Sequence, residues 1–303
     1  EVMDVADRAV VLRLGKEVAN VNVAETSVEE LSYLMVERTL NQNPISHNQP
    51  GQDILVVNDL SIQGSNTKPI LDRVSIHVAG GEIVGIAGVS GNGQSELIAA
   101  LFGLHKVDSG SILIDGKDVA NRDVQSIRDI GVSMIPEDRN IWGIASQAKI
   151  SESSIMGHQK KTAFSKFGLL NIRAIRNFAQ SIIKQYKVKT DDISLKTGSL
   201  SGGNTQKLIV AREISHETPF LIAAEPTRGI DIGAMEFIHE KLVEKRDRGD
   251  AILLVSSELS EIMKLSDRIY VMFEGKINGE FRHDQVTEEE LGYLMVGGEK
   301  KNG

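Results

Sequence analysis

A glycine-rich segment, GVSGNGQS (Gly88–Ser95), has the residue types and spacing of a loop that binds phosphate. It follows a short apolar run and opens a helical pattern, which is the context that such a loop requires. Glycine at 91 and 93 lets the backbone curl so that several N–H groups converge on an anion, and the helix dipole adds to the attraction. The predicted phosphate-binding residues are Gly88, Ser90, Gly91, Asn92, Gly93, Gln94, Ser95 and Glu96.

One residue departs from the phosphate-loop pattern. Ser95 stands where a hydroxyl would coordinate Mg²⁺, but the residue before it, which should be Lys, is Gln94. An amide can donate a hydrogen bond but carries no charge, and charge-assisted bonds to phosphate are roughly twice as strong as neutral ones. We therefore expect hydrolysis at this site to suffer more than nucleotide binding.

A second glycine-rich loop opens a helix at LSGGNTQKLIVAREI (Leu200–Ile214), and the apolar strand and acidic end of FLIAAEPTRGID (Phe220–Asp231) follow it. The order and spacing of these elements resemble the ATP-binding cassette (ABC) family of transporter ATPases. The resemblance covers residues 53–303. It implies ATP and Mg²⁺ as cofactors, and a P-loop fold whose mostly parallel RecA-like α/β core carries an antiparallel β subdomain and a helical subdomain.

In that family two cassettes dimerise head to tail, and each nucleotide lies between one phosphate loop and the partner's signature loop. The resemblance thus implies that Ser201, Gly202 and Gly203 present a hydroxyl and backbone amides to the γ-phosphate bound by another cassette. The predicted signature residues are Leu200, Ser201, Gly202, Gly203 and Asn204, the last replacing the usual Gln. Asp231 matches the D-loop aspartate. Glu137, in IPEDR (Ile135–Arg139), falls at the usual Q-loop Gln.

Further departures fall on the catalytic positions. The family's Walker B strand ends in Asp-Glu, where Asp orients Mg²⁺ and Glu activates the attacking water. Here Ala224 replaces the aspartate, while Glu225 holds the position of the catalytic base. The family's switch His aligns with Ser257, and a hydroxyl cannot replace the imidazole that contacts the γ-phosphate. The Lys, Asp and His functions are all missing, so we predict a degenerate hydrolytic site.

The two ends of the sequence repeat each other. EVMDVADRAVVLRLGK (Glu1–Lys16) recurs as EIMKLSDRIYVMFEGK (Glu261–Lys276), and 14 of 36 positions in the ungapped match at offset 260 are identical. We interpret residues 1–40 as the C-terminal tail of a preceding cassette, 41–52 as a polar linker with two Pro and one Gly, and 53–303 as the complete cassette. Its helical subdomain is expected at about 140–205.

Strand-like and helix-like segments alternate around both glycine-rich loops. Ile54–Ile62 and Ile70–Val78 have strand character, residues 140–200 have mostly helical periodicity, and then helix and strand alternate again. Such alternation favours a mostly parallel α/β sheet, with the early antiparallel strands and a mid-chain helical insert added to it.

The amino-acid composition excludes several other classes of protein and site. The chain has 303 residues, 41% of them hydrophobic, and a net charge of −8. The acidic balance argues against a nucleic-acid partner. There is no cysteine, so disulfides and thiolate metal sites are excluded, and no apolar run approaches the ~20 residues of a membrane span. Trp142, the one tryptophan, follows the Q-loop position, where either core packing or a contact with a permease is possible.

Tandem cassettes with a degenerate second half resemble the importers of simple sugars and nucleosides. GVSGNGQSEL (Gly88–Leu97) and AAEPTRGID (Ala223–Asp231) are most similar to the nucleoside branch. The resemblance implies four partners: the preceding cassette, two membrane permeases and an extracytoplasmic solute-binding lipoprotein. It places the chain on the cytoplasmic face of the membrane as a peripheral subunit that supplies LSGGN to the first cassette's ATP. The alternative is a regulatory nucleotide-binding domain that holds ATP without hydrolysis.

Overall fold

A computed structural model describes residues 2–13, 16–36, 49–64 and 68–298 of the protein. Of the predicted linker at 41–52, residues 41–48 lie outside the described part. So do residues 37–40 of the predicted tail and 299–303 at the other end.

Residues 2–36 form a small unit of two helices and an antiparallel pair of strands. Its elements are α1 (Val2–Val5), β1 (Arg8–Arg13), β2 (Lys16–Asn22) and α2 (Val28–Val36). The strands pair from Arg8 opposite Asn22 to Arg13 opposite Lys16, with a register shift after Val11. A two-stranded ribbon of this kind is marginally stable without further packing.

The cassette that follows contains strands of five to ten residues and several shorter ones. The strands are β3 (Asp53–Ile62), β4 (Leu71–Ala79), β5 (Ile83–Ala87), β6 (Ser109–Ile114), β7 (Lys117–Asp118), β8 (Val132–Ile135), β9 (Ser165–Lys166), β10 (Leu169–Leu170), β11 (Phe220–Ala224), β12 (Ala251–Val255), β13 (Arg268–Phe273) and β14 (Lys276–Arg282). The helices are α3 (Gln94–Leu101), α4 (Val124–Ile130), α5 (Ile150–Ser153), α6 (Ile172–Gln185), α7 (Gly202–Ile214), α8 (Ile232–Asp247), α9 (Leu259–Leu265) and α10 (Glu288–Met295).

The central sheet has the strand order β14-β13-β5-β12-β11-β8. All neighbours are parallel except the edge pair β13–β14. Its strands are apolar at consecutive positions because both faces are covered. In β11, Phe220 and Ile222 pack on one face with α3, while Leu221 packs on the other face with α7 and α8.

A second sheet, in the order β4-β3-β6-β7, is antiparallel and packs over α3 and the first face of the central sheet. Together these layers confirm the predicted α/β P-loop fold with an antiparallel β subdomain. Of the helices that the structure describes, none combines the length and the apolar character needed to cross a bilayer.

The insert after β8 is less helical than its sequence pattern predicts. Residues 140–200 contain α5, α6 and a small hairpin, β9–β10, joined by turns. Only α6 is long, and it buries Ile175, Ala179 and Ile182 on one face. The periodicity over the rest of this stretch reflects short turns that pack a few side chains each.

The sequence repeat is also a structural repeat. At the same offset of 260 residues, β1 corresponds to β13 and β2 to β14 along their whole lengths, and the register shift after Val11 recurs after Val271. The 3₁₀ turn at Val23–Glu25 recurs at His283–Gln285. The two copies differ in their surroundings, because β13 pairs with β5 in the central sheet while β1, among the described residues, pairs with β2 alone.

A buried ionic cluster joins α7 to α4 and to the insert. Glu213 is completely buried and accepts hydrogen bonds from Nε of Arg212 at 2.7 Å and Nη1 of Arg128 at 3.0 Å. Although burial opposes ionisation, the Arg212 and Arg128 charges and the His158 ring hold the pKa of Glu213 well below its usual range. His158 lies 3.6 Å from the same carboxylate.

We expect His216, beside this cluster, to make the fold acid-sensitive. Its ring is buried against His158 and Phe178, and burial, together with the nearby positive charges, lowers its pKa from 6.5 to about 3. The unfolded chain therefore binds a proton below pH 6.5 that the folded chain does not. Stability is complete above pH 6.5 and falls as the pH drops towards 3, by about 2 kcal/mol at pH 5.

His216→Phe should remove this contribution and keep the aromatic packing. Urea unfolding at pH 7 and pH 5 should show a drop in the free energy of unfolding that is about 2 kcal/mol smaller in the variant. His105→Gln changes an exposed histidine and serves as the control. A variant with the same acid sensitivity as the unmodified protein would contradict this assignment.

Candidate nucleotide-binding site

The predicted phosphate-loop, Q-loop, catalytic and switch residues meet at the carboxyl ends of four neighbouring parallel strands. The phosphate loop follows β5, Glu225 follows β11, Ser257 follows β12, and Glu137 follows β8. In open α/β sheets, ligands bind at this edge. The loops enclose a small cavity of about 50 Å³, whose lining includes Gly88, Ser90, Gln94, Ser95, Glu137, Ala224, Glu225 and Ser257.

The phosphate loop has the predicted backbone geometry. Gly91 and Gly93 have φ angles of 91° and 106°, which favour glycine. The first helical bond of α3 joins the Leu97 N–H to the Gly93 carbonyl at 2.9 Å. The amides of Gln94, Ser95 and Glu96 precede that bond, as in other helix N-termini that bind anions.

The side chain of Asn92 is used to anchor the loop rather than to face a ligand. Its Oδ1 accepts from the Glu274 N–H at 3.1 Å, and its Nδ2 donates to the Met295 carbonyl at 3.2 Å. Asn92 was predicted to contribute to phosphate binding, but these bonds tie the loop to the turn after β13 and to the end of α10.

Gln94, which replaces the phosphate-loop lysine, folds back onto its own loop. It is 8% exposed, and its Nε2 donates to the Val89 carbonyl at 3.3 Å. The amide lies so close to the backbone of Gly88 that an added Cβ there would collide with it. The loop therefore presents no side-chain cation to the β- and γ-phosphates.

Ser95 is paired with the predicted Q-loop residue. Its Oγ donates to Oε2 of Glu137 at 2.9 Å, and the other carboxylate oxygen of Glu137 lies 3.7 Å from Nη1 of Arg228. Glu137 and Arg228 are both exposed. Because surface ion pairs contribute little to stability, this arrangement leaves the Glu137 carboxylate available to a ligand.

Glu225 is held by the residue at the switch position. Its carboxylate accepts from the backbone N–H of Ser257 at 2.7 Å and from the Ser257 hydroxyl at 3.1 Å. Burial raises the pKa of Glu225, and the Ser257 bonds oppose that shift. Its φ of 45° is in the left-handed region, so the backbone is strained where the base would act. Ala224, just before it, is buried and offers no oxygen to a metal.

The signature residues form a separate and more open surface. Ser201 caps α7, whose first helical bond joins the Thr205 N–H to the Ser201 carbonyl at 2.8 Å, so the amides of Gly202, Gly203 and Asn204 precede it. Ser201 and Gly202 are exposed, and Leu200 is half-buried against the core. This is a second helix N-terminus suited to an anion, and it does not line the first cavity.

Asn204 and Asp231 support the signature loop from two sides. Asn204 Nδ2 donates to the Ser201 hydroxyl oxygen at 2.9 Å, while its Oδ1 accepts from the Lys189 N–H at 2.8 Å. Asp231 caps α8 through the Ala234 N–H at 2.9 Å, and its carboxylate would lie 3.3 Å from a Cβ added to Gly203. The predicted signature and D-loop positions are thus neighbours in the structure.

Sequence reasoning missed two residues that join these loops. Nη1 and Nη2 of Arg139 donate to the carbonyls of Arg228 at 2.5 Å and Gly229 at 3.3 Å. Gln206 Nε2 donates to the Pro226 carbonyl at 2.7 Å and is buried. The IPEDR segment contained Arg139, but nothing in the sequence showed that its guanidinium reaches the loop after β11.

The fold and these two glycine-rich loops define a nucleotide-binding cassette of the P-loop type. Residues 71–228, which are 158 of the 303, match the family model described as ABC transporter. The match covers more than half of the chain. The protein therefore belongs to the ABC transporter ATPase family.

Relatives and solved structures agree with this assignment. The chain is 43% identical over 298 residues to the guanosine import ATP-binding protein NupO of Bacillus subtilis, 40% identical to the nucleoside import ATP-binding protein NupA of Lactococcus lactis, and 36% identical to the B. subtilis ribose import ATP-binding protein RbsA. Each match covers 98% of this chain but only 58–59% of the relative. The chain thus spans little more than half the length of these proteins.

The fold itself matches solved cassettes. The dimeric post-hydrolysis state of the ATP-binding cassette MJ0796, bound to ADP and Pi, aligns with a TM-score of 0.66 at 20% identity over 76% of this chain and 98% of that one. The ADP conformation of the cassette MJ1267 aligns with a TM-score of 0.63 at 22% identity, over 80% and 95% of the two chains.

Proposed function

We propose that this chain is the second, degenerate cassette of an ABC importer, and that its signature loop completes the ATP site of a preceding cassette. The contrast between its two anion sites carries the proposal. Gln94, Ala224 and Ser257 each remove a group that hydrolysis needs. Ser201–Asn204 keep the amides that a second cassette's phosphate requires, and Ser201 and Gly202 are exposed.

The charges around the phosphate loop support weak hydrolysis there. Glu137 and Glu225 bring carboxylates to the cavity, and no lysine faces them from the loop. A triphosphate would therefore bind chiefly through backbone amides and as its Mg²⁺ complex. Glu225 already accepts two hydrogen bonds from Ser257, which competes with its use as a base for water.

The donor set fits Mg²⁺ in part. Mg²⁺ takes hydroxyl and carboxylate oxygens, and Ser95 Oγ and Glu137 Oε2 supply one of each, 2.9 Å apart. Ala224 supplies none. Ser95 and Glu137 would hold the ion, which would neutralise phosphate charge in the bound nucleotide, and the loop's N–H groups would orient the phosphates.

Residues 2–36 support a preceding cassette. Several of their apolar side chains are exposed where the equivalent side chains of the complete copy are buried. Val2 and Leu12 are 51% and 69% exposed, while Ile262 and Met272, at the same positions of the repeat, are both fully buried. The open edge of β1 corresponds to the edge of β13 that pairs with β5. An upstream segment equivalent to β5 and α3 would cover this face.

Partners and solute follow from the resemblance and from the relatives. We propose two membrane permeases and a solute-binding lipoprotein as partners, with the chain on the cytoplasmic face of the membrane. Relatives named for guanosine and nucleoside import are 43% and 40% identical, above the 36% of a ribose relative, which favours nucleosides over simple sugars.

The exposed pair Ile141 and Trp142 supports contact with a permease. They lie in the π-helical turn Arg139–Gly143, and are 71% and 60% exposed, so the alternative of core packing for Trp142 is wrong. Their turn follows Glu137, which touches the phosphate loop. An apolar pair there is suited to a membrane subunit that must sense the nucleotide.

Trp142→Ala should weaken assembly with the permeases by roughly tenfold or more, because exposed Trp anchors commonly contribute over 1 kcal/mol at an interface. Co-purification and titration of the membrane complex would measure the loss, with the melting temperature of the soluble protein unchanged. Phe167→Ala removes an aromatic that is 95% exposed in the β9–β10 turn and serves as the control. Equal assembly by both variants would exclude this contact.

The alternative function is a regulatory domain that holds ATP without turnover. ATP hydrolysis by the longer tandem protein with its permeases separates the two. The proposed function requires that a signature-loop variant loses turnover while a phosphate-loop variant keeps it, and the alternative predicts that both changes have similar and small effects.

A further inference from the structure

The signature loop is braced against the end of β11 by one side chain from the turn after Glu137. Arg139 begins the π-helical turn, and Asp138 Oδ1 fixes that turn by accepting from the N–H groups of Asn140 at 2.8 Å and Ile141 at 3.0 Å. From this fixed backbone the guanidinium reaches the carbonyls of Arg228 and Gly229. The two bonds tie the turn to the loop that links β11 to α8.

The same guanidinium touches the signature loop. A Cβ added to Gly202 would lie 3.0 Å from Nη2 of Arg139, and one added to Gly229 would lie 3.6 Å from it. The planar group therefore fits between two glycines, one in each loop. A methyl group at Gly202 would force the guanidinium to shift by a few tenths of an ångström, so the missing side chain at Gly202 leaves room for Arg139.

Hydrogen bonds to backbone carbonyls, rather than an ion pair within the described part of the chain, hold the Arg139 guanidinium. Among the residues that the structure describes, none brings a carboxylate within ion-pair distance of its guanidinium, and its partners are two backbone carbonyls. The planar guanidinium of arginine can donate to two acceptors in a fixed geometry, which the single ammonium group of a lysine cannot do. This favours a role in fixing distance and orientation over a role in surface charge.

We infer that Arg139 is a positioning residue, which sets the place of the signature amides relative to the edge of the central sheet. The signature loop opens α7, whose own link to the end of β11 is the bond from Gln206 to the Pro226 carbonyl. Arg139 adds a second brace at the tip of the loop, where Gly202 lies. Catalysis by preorganised donors depends on such placement, since errors near 1 Å can cost about 100-fold.

This inference rests on the proposed function, because the placement matters only if the loop acts on another cassette's nucleotide. The test uses the longer tandem protein with its permeases and compares Arg139→Ala, Arg139→Lys and Gly203→Asp. We expect Arg139→Ala to lower kcat by roughly tenfold or more, and Arg139→Lys, which can keep one of the two bonds, to recover part of it. Arg173→Ala, an exposed arginine on α6, is the matched control.

Hydrogen exchange separates positioning from general stability. In Arg139→Ala the amides of 202–206 and 228–231 should exchange faster, while the strands of the central sheet exchange as before. Faster exchange throughout the molecule, or unchanged kcat in Arg139→Ala alongside an inactive Gly203→Asp, would overturn the inference and leave the proposed function intact. Full activity in Gly203→Asp would instead reject the proposed function. If Arg139→Ala does not fold, Arg139→Lys carries the same comparison.

Discussion

Under the proposed function, Gly203→Asp should abolish ATP hydrolysis in a longer protein that joins a preceding cassette to this chain. An aspartate there puts a carboxylate among the exposed amides of the signature loop and close to Asp231, whose Oδ2 would lie 3.3 Å from the new Cβ. It would repel the γ-phosphate that these amides are placed to bind. We expect a loss of about 100-fold or more in kcat, the range found when one preorganised donor is removed from an anion site.

Gln94→Ala is the matched change at the other anion site, and under the proposed function it should leave turnover nearly unchanged, because this loop would not serve the hydrolytic site. The Gln94 amide already donates to the Val89 carbonyl and carries no charge. Its removal should therefore have little effect on the rate of ATP hydrolysis. The two substitutions lie on the same chain, and each is in the first turn of a helix that follows a glycine-rich loop. Their difference therefore reports which loop serves the hydrolytic site.

Gly203→Ala is an intermediate change, which separates the effect of added volume at residue 203 from the effect of the aspartate charge. Its methyl group would meet the Asp231 carboxylate at 3.3 Å and the Ala234 Cβ at 3.7 Å, so it should fit with a small shift and reduce kcat less than the aspartate does. Thermal unfolding of all three variants should show that each is folded at the temperature of the assay. Equal losses from Gly203→Asp and Gln94→Ala would mean that this half hydrolyses ATP itself.

The positions of the site residues could be predicted from the sequence because they follow from strand ends. Once Ile83–Ala87 and Phe220–Ala224 are parallel strands of the same sheet, the loops after them must lie at the same edge. The turn of the phosphate loop could also be predicted from Gly91 and Gly93, because the positive φ angles at these positions favour glycine whatever surrounds the loop.

Contacts between distant segments could not be predicted in this way. The bond from Ser95 to Glu137 and the reach of Arg139 to the loop after β11 depend on how the turn after β8 packs, and no spacing rule fixes that packing. Asn92 shows the same limit. Its type suits a phosphate loop, but the residues that bond to its amide lie in the turn after β13 and at the end of α10, about 200 positions away in the sequence. The insert was overestimated as helix because short turns bury apolar residues at similar intervals.

A substitution on the repeated unit tests whether a preceding cassette covers it. Val10 is 52% exposed, while Tyr270, at the same position of the complete copy, is 2% exposed and packs in the core. We expect Val10→Asp to change the free energy of unfolding of the 303-residue chain by less than about 0.5 kcal/mol, as is usual for exposed positions. In the longer protein it should destabilise the first cassette by roughly 3 kcal/mol or more, since an unpaired carboxylate would be buried in its sheet.

Met272→Asp is the positive control, because Met272 is fully buried in the chain as it stands. It should destabilise both proteins to a similar extent, whereas Val10→Asp should distinguish them. Thermal unfolding and protease resistance of the first cassette measure the effect, and ATP hydrolysis should fall with it because that cassette holds the active phosphate loop. A Val10→Asp substitution that is equally harmless in both proteins would show that this face stays open. The repeat at offset 260 would then be an additional copy of the C-terminal elements attached to a single cassette. The nucleotide that the signature loop binds would have to be held by a separate chain.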